Sequence, residues 1–169
     1  MEIKSTEVTI QANAEQVFAL NALLNPDIKL VTLQGVAGTG KTLLALASAL
    51  EQRKNYRQIF VTRPIVPLSN KDIGFLPGDI KSKIDPYMAP IWDNLKFIKD
   101  QLGDEKAQDK IDELVSNEKI SIAPLAYMRG RTLNKAFILL DEAQNTTSMQ
   151  MKMFLTRMGI QSKTIITGD

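Results

Sequence analysis

Gly35-Val36-Ala37-Gly38-Thr39-Gly40-Lys41-Thr42 is the stretch that decides the fold, because it fits G-x-x-x-x-G-K-[ST] at every specified position. The apolar residues 30–33 before it predict a short strand, and the Leu- and Ala-rich residues 43–50 after it predict a helix. A strand, a glycine-rich loop and a helix in this order are the context in which the motif forms a phosphate-binding loop, or P-loop.

The loop also predicts which groups hold a nucleotide. Its glycines let the backbone turn so that N–H groups face a phosphate, and the start of the helix adds the positive end of its dipole. Lys41 is expected to reach the β- and γ-phosphates of a nucleotide, and the Thr42 hydroxyl is expected to bind Mg²⁺. The predicted nucleotide-binding residues of the loop are Gly35, Ala37, Gly38, Thr39, Gly40, Lys41 and Thr42.

Composition restricts the remaining chemistry. The 169-residue chain has no cysteine and no histidine, which excludes disulfides, thiolate nucleophiles and histidine-based triads or metal sites. A general base must therefore be a carboxylate, a lysine or a tyrosine. The net charge of +2 permits nucleic-acid binding without arguing for it. No signal peptide and no membrane-spanning apolar run is visible, so a single-domain cytoplasmic protein without membrane contact is expected.

Strands and helices alternate along the rest of the chain. Further strands are predicted at residues 59–62, 120–123, 136–140 and 163–167. Helices are predicted at residues 13–24 and 147–157. The second of these helices has a Thr147/Gln150 capping box at its start and Gly159 as its stop. Amphipathic stripes run from Met88 to Leu102, as core or subunit interface, and from Ala107 to Val115. Residues 66–86 predict a long loop or a small insertion. The alternation predicts an α/β fold whose mainly parallel sheet has helices on both faces.

Polar motifs follow several of these strands. They are the P-loop, Thr62-Arg63, Asp141-Glu142 and Gly168-Asp169. Because ligands of parallel sheets bind at the carboxyl ends of the strands, these motifs are expected to converge on one edge.

Residues 137–142, Phe-Ile-Leu-Leu-Asp-Glu, have the Walker B pattern of an apolar strand that runs into two acids. Asp141 is predicted to bind Mg²⁺ opposite Thr42, and Glu142 to orient and deprotonate the attacking water. Gln144 is predicted to sense the γ-phosphate or couple it to a second site, and Asp169 to contact the γ-phosphate or the water. Each role has a structural alternative. Asp141 and Glu142 could be solvated acids at a strand end, Gln144 could belong to the start of the next helix, and Asp169 could belong to a Gly-Asp turn.

Two further assignments stay open at this stage. The Gln16 amide can read adenine, yet Asn13 and Gln16 also have capping-box spacing. Four residues are candidates for contact with single-stranded RNA or DNA, namely Arg63, Tyr127, Arg129 and Arg131. Tyr127 would stack on a base, and the arginines would contact phosphates. The alternatives for these arginines are solvated surface positions or contact with the γ-phosphate. The loop 127–132 is expected to open on the same edge as the nucleotide.

Several longer segments resemble motifs of the PhoH family of P-loop ATPases. They are residues 61–66 (VTRPIV), 72–79 (DIGFLPGD), 90–95 (PIWDNL), 128–133 (MRGRTL), 141–147 (DEAQNTT) and 155–157 (LTR). The resemblance covers most of the chain, from Gln16 to Asp169. Residues 76–79 (LPGD), followed by residues 90–94 (PIWDN), look most like the version that is fused behind a PIN ribonuclease domain.

This resemblance implies a RecA-like core related to superfamily 1 helicases, with ATP hydrolysis coupled to single-stranded RNA, ring-shaped homo-oligomers and a PIN domain in a longer chain. Because members of the family continue beyond Gly-Asp, residues 1–169 are interpreted as one P-loop ATPase domain that lacks its C-terminal part. Two other functions are considered. One is a nucleotide-dependent switch or assembly module, which RNA-stimulated turnover would exclude. The other is a small-molecule kinase, which does not need the water-activating Glu142.

Overall fold

The computed structural model describes residues 2–4, 9–11, 13–66 and 80–169. The chain begins with two short antiparallel strands, β1 (Glu2–Lys4) and β2 (Thr9–Gln11), which the sequence patterns did not predict. Helix α1 (Ala14–Leu24) follows, and the predicted capping box between Asn13 and Gln16 is present at its start. Three-residue strands are too short to show an alternating apolar pattern, which is why these two escaped prediction.

A five-stranded sheet forms the centre of the molecule, with strands in the order β3-β7-β6-β4-β5 and every neighbouring pair parallel. All five of its predicted strands are confirmed. Their bounds are β3 (Leu30–Gln34), β4 (Gln58–Arg63), β5 (Ile120–Pro124), β6 (Ala136–Leu140) and β7 (Lys163–Gly168). Because parallel strands need crossover connections, the intervening helices must lie on the faces of this sheet.

Helices cover both faces, as predicted. One face packs against α1, α2 (Lys41–Glu51), α3 (Ile80–Gln101) and α4 (Glu105–Ser116). The other face packs against α5 (Ser148–Leu155) and the short helical turn Leu125–Met128. Alternate residues of β6 divide between the two cores, with Phe137 and Leu139 in the first and Ile138 and Leu140 in the second. None of the helices in the described ranges is both long and apolar enough to span a membrane.

For residues 66–86, predicted as a long loop or a small insertion, the loop alternative is wrong in the last part. Residues 67–79 lie outside the described residues, but residues 80–86 belong to α3, which contains two prolines, Pro86 and Pro90. A proline inside a helix removes a hydrogen bond and costs about 3 kcal/mol. The buried stripe of α3 offsets that cost; its residues are Met88, Ile91, Leu95 and Ile98. The predicted stripe is thus a core stripe, although Trp92 itself is 40% exposed.

The end of the last helix also differs from its prediction. The Thr147/Gln150 capping box is confirmed, but α5 ends at Leu155 with Thr156 as its C-cap, two residues before the predicted end. Gly159 is not the stop. Its N–H donates to the Leu133 carbonyl at 2.9 Å, and a Cβ on Gly159 would lie 2.5 Å from that oxygen. A glycine is therefore required here by close backbone approach and not by helix termination.

Lys163, at the start of β7, is a fully buried lysine that holds α1 to the sheet. Its ammonium donates to the carbonyls of Ala22, Asn25 and Ile28, at 3.2, 2.7 and 2.9 Å. All three of its donors are satisfied, as burial of such a group requires. Burial, assisted by the nearby charge of Lys29, lowers the pKa of the Lys163 ammonium to about 8.

This lowered pKa predicts a pH-dependent stability. A lysine in the unfolded chain has a pKa of about 10.4, so between pH 8 and 10 the unfolded state binds more protons than the folded state. The free energy of unfolding should therefore rise over this window, by up to about 3 kcal/mol from this group. Urea unfolding of the parent chain and of Lys163→Met at pH 7.5 and 9.5 measures it. An equal change with pH in both chains would contradict the prediction.

Candidate active site

The P-loop connects β3 to α2 at the carboxyl edge of the sheet. Gly38 and Gly40 have φ angles of 80° and 84°, which glycine adopts without strain, and Gly40 is the N-cap of α2. The Gly35 N–H donates to the Gly168 carbonyl at 3.2 Å, so the loop is joined to the end of β7. The backbone turn that the motif predicts is present.

Lys41 lies in the first turn of α2 and turns back over the loop. Its ammonium donates to the carbonyl oxygens of Gly35 and Val36, the latter at 2.9 Å, and it pairs with Asp169 Oδ1 at 3.0 Å. Its side chain is only 14% exposed. The ammonium is thus held at the mouth of the loop, between the strand that precedes the P-loop and the end of β7.

Thr42 and Asp141, the two predicted Mg²⁺ ligands, are in direct contact. The Thr42 hydroxyl donates to Asp141 Oδ1 at 2.6 Å. The Thr167 hydroxyl donates to the same oxygen at 2.7 Å from β7. Asp141 is buried. Two hydroxyl donors from different elements therefore fix the orientation of this carboxylate.

Glu142 has a left-handed backbone, with φ 55° and ψ 43°. This conformation costs a non-glycine residue about 1 kcal/mol or more and is concentrated at functional sites. The carboxylate is held on both sides, because the Gln144 amide donates to Oε2 and Arg63 Nη2 lies 3.3 Å from Oε1. The turn thus points the second acid away from the strand and into a defined polar environment.

Gln144 joins the Walker B segment to β7. Its Oε1 accepts from the Asp169 N–H at 3.2 Å while its Nε2 donates to Glu142. Gly168 makes this contact possible, because a Cβ at that position would lie 2.8 Å from Gln144 Oε1. The Gln144 amide therefore connects the end of β6 to the end of β7, and its predicted role towards the γ-phosphate or a second site stays a prediction.

These contacts close into a ring around the carboxyl edge, here called the polar ring. In order, its members are Lys41, Asp169, Gln144, Glu142, Arg63, Asp141 and Thr42. The ring borders a cleft of about 310 Å³, which is within the range of small-molecule sites. The convergence expected for the four motifs is confirmed, because each contributes at least one member of the ring or one residue of the cleft.

Asn94, on α3, also lines the cleft and was missed by the sequence reasoning. Its Nδ2 donates to the Pro90 carbonyl at 2.8 Å, within the same helix. The only available signal was its place inside the segment 90–95, and helical spacing alone does not show that a polar residue faces a cleft formed by other elements.

Gln16 has both of its amide atoms engaged. Its Oε1 accepts from the Asn13 N–H at 3.0 Å as part of the capping box, and its Nε2 donates to the Thr39 carbonyl of the P-loop at 3.0 Å. The capping alternative is therefore present, and Gln16 also braces the loop. The amide nitrogen and oxygen each keep one further hydrogen-bonding position, so the predicted contact with adenine stays a prediction.

The proposed RNA-contacting residues separate into two places. Arg63 belongs to the polar ring, with a side chain that is 16% exposed. Tyr127 and Arg129 are exposed and follow β5, the strand at the far end of the sheet. The Arg131 Cζ atom lies 5.9 Å from the centre of the Phe60 ring, in a cation–π contact. Phe60 belongs to the core on the face of the sheet that packs against α5. None of these last three residues lines the cleft.

The parallel sheet, the strand-loop-helix geometry of residues 30–51 and the acids at the end of β6 define a P-loop NTPase fold. A family model described as PhoH-like protein matches residues 9–169. The chain belongs to this PhoH-like family.

Curated relatives agree with this placement. A PhoH-like protein of Bacillus subtilis is 54% identical over 80% of this chain and 40% of its own length. Protein PhoH2 of the same organism is 47% identical over 93% of the chain and 35% of its own length. Protein PhoH of Escherichia coli is 41% identical over 98% of the chain and 45% of its own length. The chain thus spans less than half the length of these relatives.

Proposed function

We propose that the chain is a Mg²⁺-dependent ATP-binding and ATP-hydrolysing core whose activity is coupled to single-stranded RNA. The observation that carries the proposal is the 2.6 Å contact between Thr42 of the P-loop and Asp141 of β6, beside Lys41. These residues are 99 positions apart in the sequence. Their meeting at one cleft provides, in one place, a phosphate cradle, an ammonium and two oxygen ligands for a metal.

The residues at this position suit Mg²⁺. The ion prefers oxygen ligands, and proteins bind it through one or two carboxylates together with substrate phosphates. The Asp141 carboxylate and the Thr42 hydroxyl are such ligands. The Thr167 hydroxyl on β7 orients the carboxylate by donating a hydrogen bond to it. Bound there, the ion would neutralise charge that develops on the phosphate oxygens.

The chain's own groups divide the remaining work. The Lys41 ammonium and the loop N–H groups bind and orient the phosphates, which supplies much of the catalysis of phosphoryl transfer. Glu142 positions a water molecule for in-line attack on the γ-phosphorus and takes its proton, while the bond to the β–γ bridging oxygen breaks. Gln144 holds Glu142 in place and links it to Asp169, on the other side of the cleft.

ATP turnover with and without single-stranded RNA tests the proposal. We expect Mg²⁺-dependent release of phosphate that is abolished by EDTA and rises when RNA is added. Absence of ATP binding by calorimetry would reject the ATPase. Turnover that does not respond to RNA would reject the coupling and leave an ATP-dependent switch.

The exposed loop with Tyr127, Arg129 and Arg131 is the proposed RNA contact. Replacing both arginines with Ala should weaken RNA binding across sequences and flatten its salt dependence, by about 0.7 in log–log slope for each lost phosphate contact. ATP affinity should change much less. Fluorescence anisotropy of labelled RNA over a salt series measures both effects.

The matched control for this loop removes the same charge at the opposite edge of the sheet. Lys54 and Arg57 are exposed and lie between the end of α2 and the start of β4. The Lys54→Ala/Arg57→Ala variant should keep its RNA affinity. If the loop variant binds RNA normally but hydrolyses ATP poorly, the RNA role is rejected and an arginine of the loop acts on the γ-phosphate.

A further inference from the structure

Arg63, at the carboxyl end of β4, holds three separate groups with three different nitrogen atoms. Its Nε lies 3.3 Å from Asp141 Oδ2, and its Nη2 lies 3.3 Å from Glu142 Oε1. Its Nη1 donates to the backbone carbonyl of Tyr87 in α3 at 3.3 Å. One guanidinium therefore connects the predicted metal ligand, the predicted general base and a helix that the nucleotide-binding motifs do not include.

These contacts need an arginine. A planar guanidinium presents its N–H groups in a fixed fork, so contacts with three partners fix its position in the plane. A lysine ammonium is a single point of charge and cannot span the same three groups. The Arg63 side chain is 16% exposed, so water screens these contacts only partly, in contrast to those of a surface arginine. The same burial disfavours the RNA contact first considered for Arg63.

Helix α3 in turn reaches the cleft. Asn94 lies seven residues after Tyr87, which is about two helical turns or 10 Å along the same face of the helix. Tyr87 accepts from Arg63, and Asn94 lines the cleft beside the P-loop, Asp141 and Glu142. The helix thus meets the site at two points, once through Arg63 and once directly.

We propose that Arg63 is a positioning residue that couples nucleotide and metal binding at the two acids to the placement of helix α3. The inference rests on the proposed function, because it takes the acids as the site of Mg²⁺ and ATP. A cation bound by Asp141 shares that carboxylate with Arg63 and weakens its ion pair. The change in the Arg63 ion pair is transmitted to α3 through the Tyr87 carbonyl.

Trp92 offers a direct readout of this coupling. It is the only tryptophan of the chain, it lies on α3 between Tyr87 and Asn94, and it is 40% exposed. Its emission therefore reports the environment of the helix. The probe is MgCl₂ with a non-hydrolysable ATP analogue, and binding is measured in parallel by calorimetry in the parent chain and in Arg63→Gln.

In the parent chain, saturating Mg²⁺ and analogue should shift the Trp92 emission. Arg63→Gln should bind the analogue within about 10-fold of the parent, since the P-loop is intact, yet lose most of the emission response. Arg63→Lys should respond only in part, because it keeps the charge without the fork. Arg57→Gln, at the opposite end of β4, is the matched control and should respond fully.

The coupling would be overturned if the Trp92 emission of the parent chain did not change when nucleotide binds. It would also be overturned if the emission of Arg63→Gln changed as much as that of the parent. If the parent chain or Arg63→Gln does not bind the analogue, amide hydrogen exchange measured without ligand tests the coupling instead. Amides of residues 88–101 should then exchange several-fold faster in Arg63→Gln than in the parent and in Arg57→Gln, and unchanged exchange overturns the coupling. Absence of binding by the parent chain rejects the proposed function separately, so the two failures are distinct.

Discussion

Lys41→Ala should bind ATP at least about 100-fold more weakly than the parent chain. The lost ammonium makes charge-assisted hydrogen bonds with phosphate, and about 3 kcal/mol for such contacts corresponds to this factor. The loss is compounded by Asp169, whose carboxylate pairs with Lys41 at 3.0 Å and would be left uncompensated beside the phosphates. Isothermal calorimetry with ATP and Mg²⁺ measures the effect.

Lys54→Ala is the matched control for this prediction. Lys54 is exposed and follows the far end of α2, so its replacement removes one positive charge without touching the P-loop. Its ATP affinity should equal that of the parent chain. A folded Lys41→Ala chain with unchanged ATP affinity would show that the P-loop does not hold the nucleotide in the proposed way.

Glu142→Gln should bind ATP and Mg²⁺ normally and hydrolyse ATP at least about 100-fold more slowly, the usual range for loss of a general base. The glutamine keeps an oxygen that can accept from Gln144 or Arg63, so the left-handed turn at this position should survive. Phosphate release under single-turnover conditions separates the chemical step from binding.

The control for Glu142 is Glu113→Gln, on the exposed side of α4, which should leave both steps unchanged. Equal rates in Glu142→Gln and the parent chain would assign the base to another group. Slow binding together with slow hydrolysis would instead indicate that the Arg63 contact with Glu142 shapes the site before the chemical step.

Much of the fold was accessible from the sequence because its signals are local. The P-loop motif, the five apolar strands of the central sheet and the capping boxes at Asn13 and Thr147 each depend on residues within a few positions of one another. The prediction failed where long-range packing opposes local preference. Buried contacts along α3 keep Pro86 and Pro90 inside a helix, and the nearby Leu133 carbonyl, not a helix end, requires Gly159.

The sequence by itself determined the P-loop, the Walker B acids and the edge of the sheet at which they meet, since strand polarity places all carboxyl ends of a parallel sheet together. Only the tertiary structure decided how their side chains pair. Thr42 meets Asp141 across the sheet edge, and Arg63 turns to the acids and to α3. Such pairings depend on strand order and on the direction in which each side chain leaves the backbone, and neither is encoded by spacing along the chain.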